Sequence, residues 1–165
     1  MIEGFNLVGN SNAKVLILGS MPSMKSLEKQ QYYAHPQNAF WRIIAHLFNQ
    51  GKALDYQQGE ALLIDQGIAL WDVLKFCDRQ GSLDSAINKE TMEMNDFADL
   101  FLTFPKLRYV FFNGSMAEST YKKQVQPLVE ESAPYIKYKK LPSTSPAYAA
   151  MKFEAKLVAW HAIKI

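Results

Sequence analysis

The run Val15-Leu16-Ile17-Leu18 is short, wholly apolar and stopped at once by Gly19-Ser20. A strand with one wet face would alternate polar and apolar residues, so this pattern reads as a strand covered on both faces. Ile68 to Val73 (IALWDV) and Leu107 to Phe112 (LRYVFF) read the same way, the latter running into the turn Asn113-Gly114-Ser115. Tyr135 to Leu141 (YIKYKKL) alternates and reads as an edge-side strand. Helical spacing covers Phe40 to Phe48 and Tyr56 to Gln66, which Gly67 ends. Asn95 is placed to cap a helix over Asp96 to Phe104, a further helix runs from the Asn113 turn toward Val129, and a last one spans Ala147 to Ile163. Phe76 to Glu90 carries turn chemistry and reads as an excursion at the ligand end of the sheet. Strands alternating with helices predict an α/β fold, a three-layer α/β/α sandwich around a mostly parallel sheet of about four strands. With 165 residues and 48% hydrophobic content, one domain over residues 1–165 is expected.

Composition excludes several functional classes. No apolar run is long enough to span a membrane, and the amino terminus MIEGFNLVGN lacks a signal pattern, so a soluble, intracellular chain is expected. Cys77 is the only cysteine, which rules out an internal disulfide or a multi-cysteine metal cluster. His35, His46 and His161 lack ligand spacing, so neither a metal nor a cofactor is expected. From Tyr121 to Ile165 there are eight lysines against three glutamates, a local +5, whereas the first 120 residues carry a net −3. A basic carboxyl-terminal third suits a partner bearing phosphates, although a solvated lysine face has the same composition.

In open α/β sheets, ligands bind outside the carboxyl ends of the strands. Three polar loops leave those ends: Gly19-Ser20, Asn113-Gly114-Ser115, and Pro142-Ser143-Thr144-Ser145-Pro146. The loop after Gly19 brings Tyr32, Tyr33, His35, Pro36, Asn38, Phe40 and Trp41 close together. A tyrosine or phenylalanine there can stack on a flat heterocycle, and an asparagine can donate and accept along its edge. Phe40 and Trp41 can equally open a helix as core residues, and Asn38 can be its N-cap. The PSTSP loop offers hydroxyls and amides to phosphate oxygens, with Lys139 and Lys140 just upstream. It also reads as a plain capping loop.

The blocks GSMPS, YYAHPQNAFW, GIALWDVL, FFNGSMA and LPSTSPAYA, in this order, resemble the uracil-DNA glycosylase superfamily, most closely its hypoxanthine-DNA glycosylase branch. The resemblance spans roughly Lys14 to Trp160. It implies a monofunctional DNA glycosylase that flips a deaminated base, hypoxanthine by preference, out of duplex DNA and hydrolyses its N-glycosidic bond in base excision repair. It also implies a cytoplasmic prokaryotic protein that meets the nucleoid through DNA and works as a monomer. Carried over residue by residue, Asn38 is the catalytic asparagine. Gly19, Ser20, Met21, Pro22 and Ser23 line the base pocket, with Tyr33, His35, Phe40 and Asn113. Ser143, Thr144, Ser145 and Pro146 pinch the DNA backbone, with Lys139, Lys140 and Tyr148 as further DNA contacts. His35 could act as a general acid or only shape its turn; Tyr148 could wedge into the duplex or only pack. The first motif lacks the Asp or Asn with which uracil-specific relatives hold water, and Leu141 stands where they begin the second motif with histidine. These departures weigh against uracil excision. They keep alive a uracil or mismatch-specific enzyme, a non-catalytic binder of damaged or single-stranded nucleic acid, and an enzyme acting on a free nucleoside.

Overall fold

The computed structural model describes residues 1–165. In chain order its elements are β1 (Ile2–Glu3), β2 (Val15–Gly19), α1 (Met24–Lys29), α2 (Phe40–Phe48), α3 (Tyr56–Asp65), β3 (Ile68–Asp72), β4 (Leu74–Arg79), β5 (Ile87–Met94), α4 (Phe97–Thr103), β6 (Tyr109–Asn113), α5 (Ser115–Gln124), α6 (Gln126–Val129), β7 (Lys137–Leu141) and α7 (Phe153–Trp160). The central sheet has the order β3-β2-β6-β7, and every pairing is parallel. Every residue of β2 is buried, as its unbroken apolar run requires.

Because side chains alternate across a strand, β2 supplies two cores. Leu16 and Leu18 join Val110 and Phe112 of β6 against Phe97 of α4, Tyr121 of α5 and Val129 of α6. Val15 and Ile17 face the other way, with Phe111, against Phe40 and Ile43 of α2, Leu63 of α3 and Trp160 of α7. This is the expected three-layer α/β sandwich, with its parallel strand ends gathered on one side. No helix is long and apolar enough to cross a membrane.

Three local expectations need correction. The segment from Phe76 to Glu90 is not irregular: β4 and β5 form an antiparallel hairpin that β1 joins to make a second sheet. Register shifts between Leu74 and Phe76 and between Phe76 and Asp78 break the two-residue period that would have revealed it. Asn95 does not cap α4. The Asp96 carboxylate accepts from Asp99 N instead, while Asn95 Nδ2 donates to the carbonyl of Asp72 at 2.7 Å. The last helix starts at Phe153 rather than Ala147, because Ser145 holds the chain in a turn by accepting from Ala147 N on Oγ and from Tyr148 N on its carbonyl.

Candidate active site

The carboxyl ends of β2, β3 and β6 open into a cavity of about 330 Å³, within the range of small-molecule pockets. The loop after β2 and the loop after β7 form opposite walls and are directly joined, since Ala39 N donates to the carbonyl of Thr144 at 3.0 Å. Asn38 and the Ser143-Thr144-Ser145 segment therefore face one space.

The floor lies at Gly19. A Cβ there would sit 2.5 Å from Asp72 Oδ1 and 2.8 Å from the Tyr33 hydroxyl oxygen, so the missing side chain keeps open the approach to both groups. Asp72 ends β3 and is buried, and its Oδ2 has no hydrogen-bond partner. Burial pushes its carboxyl up to about 7; the neighbouring Asp84 raises it further and Arg79 opposes. Tyr33 is held at φ 55°, a left-handed conformation rare for an aromatic residue, and its buried hydroxyl also lacks a partner. Burial raises the Tyr33 pKa well above the usual phenol range, and the Asp72 charge adds to this. Gly19→Ala pushes a methyl group into this floor. It is expected to cost about 1–3 kcal/mol of stability, read by urea denaturation, and to impair whatever occupies the cavity.

The hairpin tip forms a third wall. Ser20 Oγ donates to Asp84 Oδ1 at 2.6 Å, Met24 N donates to Ser82 Oγ at 2.9 Å, and Arg79 Nη2 donates to the carbonyl of Pro22 at 2.6 Å. Met21 and Pro22 are buried beneath the cavity surface, and Ser23 caps α1 by accepting from Ser26 N.

Asn113 is not the cap of α5, which begins at Gly114 with φ 95°. Its amide is instead matched to Thr144: Oδ1 accepts from Thr144 N at 3.0 Å and Nδ2 donates to Thr144 Oγ1 at 2.9 Å. Thr144 is thus buried and its hydroxyl engaged, which removes it as a free phosphate ligand. Ser143 and Ser145 are half-buried on the wall. Ser143 Oγ accepts from Ser145 N and Ser145 Oγ accepts from Ala147 N, so each hydroxyl keeps its own O–H to donate outward. Pro146 is exposed beside them, and Tyr148 is exposed at the rim with Lys156 Nζ 5.3 Å from its ring centroid.

Two residues expected in the base pocket lie elsewhere. Phe40 is fully buried, wedged between Tyr33, Trp41 and Trp160, and cannot reach a ligand; its ring backs Tyr33 at 4.3 Å. His35 is off the cavity wall, and its Nδ1 accepts from Gln37 N, which shapes the turn before Asn38. Asn38 Oδ1 accepts from Phe40 N at 2.9 Å, while Nδ2 makes no bond to protein. Lys139 and Lys140 are exposed on β7 at the edge of the sheet, Lys140 reaching Ser115 Oγ at 3.4 Å.

Sequence reasoning missed Asp72, Asp84, Tyr32, Ser26 and the Ser82–Ser85 tip, all of which line the cavity. For Asp72 a signal existed: it is the only charged residue inside the apolar run IALWDV. No three His, Cys, Asp or Glu side chains are grouped to hold a metal ion. A pocket with hydrogen-bonding groups on its floor, an amide and hydroxyls on its walls and lysines beyond its rim can hold a flat polar base while contacting phosphates outside it.

Comparison with known proteins gives a consistent result. The sequence matches the family described as the uracil DNA glycosylase superfamily over residues 7–164. It is 44% identical over 116 residues to a hypoxanthine DNA glycosylase of Methanosarcina acetivorans, covering 70% of this chain and 72% of that protein. It is 40% identical over 113 residues to a hypoxanthine DNA glycosylase of Methanosarcina barkeri, covering 68% and 70%. A solution NMR structure from Methanosarcina acetivorans, provisionally described as a uracil DNA glycosylase, superimposes with a TM-score of 0.77 at 35% identity over 99% of this chain and 98% of that one.

Proposed function

Because the chain belongs to the uracil DNA glycosylase superfamily, we propose that it is a monofunctional DNA glycosylase that excises hypoxanthine from duplex DNA, acting as a monomer in a prokaryotic cytoplasm. The observation that carries this reading is the slot itself, with Asn38 on one wall and Ser143 and Ser145 on the other.

A stacked base is out of reach of any such slot, so the nucleotide must first be extruded, at a cost of a few kcal/mol that is smallest for a mispaired or damaged base. The flipped base then stacks on Tyr33, which Phe40 braces from behind, a contact worth about 1–3 kcal/mol. Ser143 and Ser145 donate their free O–H groups to the flanking phosphates. Asn38 Oδ1 uses one lone pair for Phe40 N and keeps the other to orient a water toward C1′. As the glycosidic bond breaks, positive charge builds on the sugar and negative charge on the departing base. Backbone groups at Ser20 and Ser23 contact the base.

The test is a set of duplexes carrying hypoxanthine, uracil or xanthine, incubated with the protein and then cleaved with alkali at abasic sites. Scission at hypoxanthine is expected. Binding without scission on any duplex would select the non-catalytic reading, and activity confined to free nucleosides would select a small-molecule enzyme.

Lys139 and Lys140 are assigned to phosphates outside the slot. Replacing both with alanine is expected to weaken binding to all duplexes alike and to lower the slope of log K against log salt by about 2, read by fluorescence anisotropy across a salt series.

A further inference from the structure

The mechanism above leaves one buried ionisable group unused. Asp72 stands at the end of β3 on the cavity floor, its main chain pinned by Asn95 through the 2.7 Å bond to its carbonyl. It forms no ion pair, and its Oδ2 has no partner. Arg79, the nearest cation to act on it, is committed to the carbonyls of Pro22 and Gly81. A carboxylate left without counter-ion or donors in such a place is unfavourable, whereas a carboxylic acid there is a hydrogen-bond donor waiting for an acceptor. Gly19 keeps the cavity open to that group.

We propose that Asp72, as a neutral carboxylic acid, donates a hydrogen bond to the acceptor edge of the extruded purine, its O6 or N7, and thereby stabilises the departing base. The inference rests on the glycosylase reading above and adds to it a residue for the leaving group. During hydrolysis the C1′–N9 electron pair leaves with the purine, water supplies hydroxide to C1′, and the remaining proton of that water ends on the base. Asp72 polarises the base throughout and returns to its starting protonation state. An ionised Asp72 would instead repel the negative charge that accumulates on the leaving group.

This makes activity depend on pH in a stated direction. Burial holds the carboxyl up to about 7, Asp84 on the hairpin tip raises it further, and Arg79 on β4 opposes. Tyr33 and Tyr32, the other titratable groups coupled to it, are both raised far beyond neutrality and remain phenols. Asn38 does not titrate. Excision should therefore be fast on the acid side of about 7 and fall about tenfold per pH unit above it.

Single-turnover excision of hypoxanthine is measured from pH 5.5 to 9 for the wild type, Asp72→Asn and Asp72→Leu. Asp72→Asn retains a donor that cannot ionise, so its rate is expected to drop about tenfold at pH 6 and its alkaline decline to vanish. Asp72→Leu is expected to lose about 10²–10³-fold at pH 6. A flat wild-type profile, an Asp72→Asn profile that still declines like the wild type, or a folded Asp72→Asn inactive at every pH would each overturn the proposal. If the variants do not fold, the carboxyl carbon of Asp72 in 13C-labelled wild-type protein decides: a titration midpoint near 7 supports the proposal, and one below 5 refutes it. A wild type that excises no deaminated base at any pH, yet shows that midpoint, would locate the failure in the functional reading rather than in the carboxyl.

Discussion

Asn38→Ala is expected to lower single-turnover hypoxanthine excision by about 10²–10³-fold while leaving duplex binding close to that of the wild type. The split follows from where the side chain stands. It lines the slot, and its Nδ2 makes no bond to protein, so its loss removes a water-orienting acceptor without disturbing the serine wall or the lysines outside. Its Oδ1 also accepts from Phe40 N at the start of α2, so the alanine variant should lose about 1 kcal/mol of stability as well. Asn38→Asp separates the two roles, because a carboxylate keeps the acceptor for Phe40 N and can still hold a water. It should restore the lost stability and part of the rate. Full excision by folded Asn38→Ala, measured by alkaline scission, would remove Asn38 from the mechanism.

Trp160→Ala is expected to be the most damaging single change to the fold, at about 3–5 kcal/mol. Trp160 is fully buried, its ring meets Phe40 edge-on at 5.8 Å, and its Nε1 donates to the carbonyl of Pro142 at 2.9 Å. The alanine variant leaves a cavity in the helix-backed core and an unpaired carbonyl at the root of the PSTSP loop. Against a total stability of about 5–15 kcal/mol, that is a large share. Trp160→Phe should keep most of the packing and lose mainly the hydrogen bond, about 1 kcal/mol. Urea midpoints for the two variants, read beside their excision rates, test whether α7 supports the DNA-contacting loop as well as the core. A Trp160→Ala midpoint within 1 kcal/mol of the wild type would show that it does neither.

The parallel sheet was legible because its strands are buried on both faces and write that fact directly into the sequence, as in VLIL. The helix from Phe40 to Phe48 was equally plain, since its apolar residues recur with the helical period. The hairpin was not, because bulged strands with one exposed face carry no strict alternation and its tip is all turn chemistry. Asn95 and Asp96 are both competent N-caps in adjacent positions, and only the three-dimensional need of the Asp72 carbonyl decides between them. Among the site residues, the facing of Asn38 and the PSTSP segment followed from strand order. The loss of Phe40 to the core and of Thr144 to Asn113 did not, since local sequence says nothing about which partner an aromatic ring or a hydroxyl will find. Asp72 was overlooked because a single acid ending an apolar strand looks like a strand terminator until its neighbours are known.

Thr144 gives its carbonyl to Ala39 and its amide and hydroxyl to Asn113. The two jaws of the slot are consequently fastened to one another and to the sheet, and neither can swing aside to admit a base. Yielding is left to the nucleic acid, whose backbone must bend and whose target pair must open before anything fits. Discrimination then begins outside the protein, in how readily a damaged pair comes apart, and a stiff receptor samples that readiness without shape change of its own.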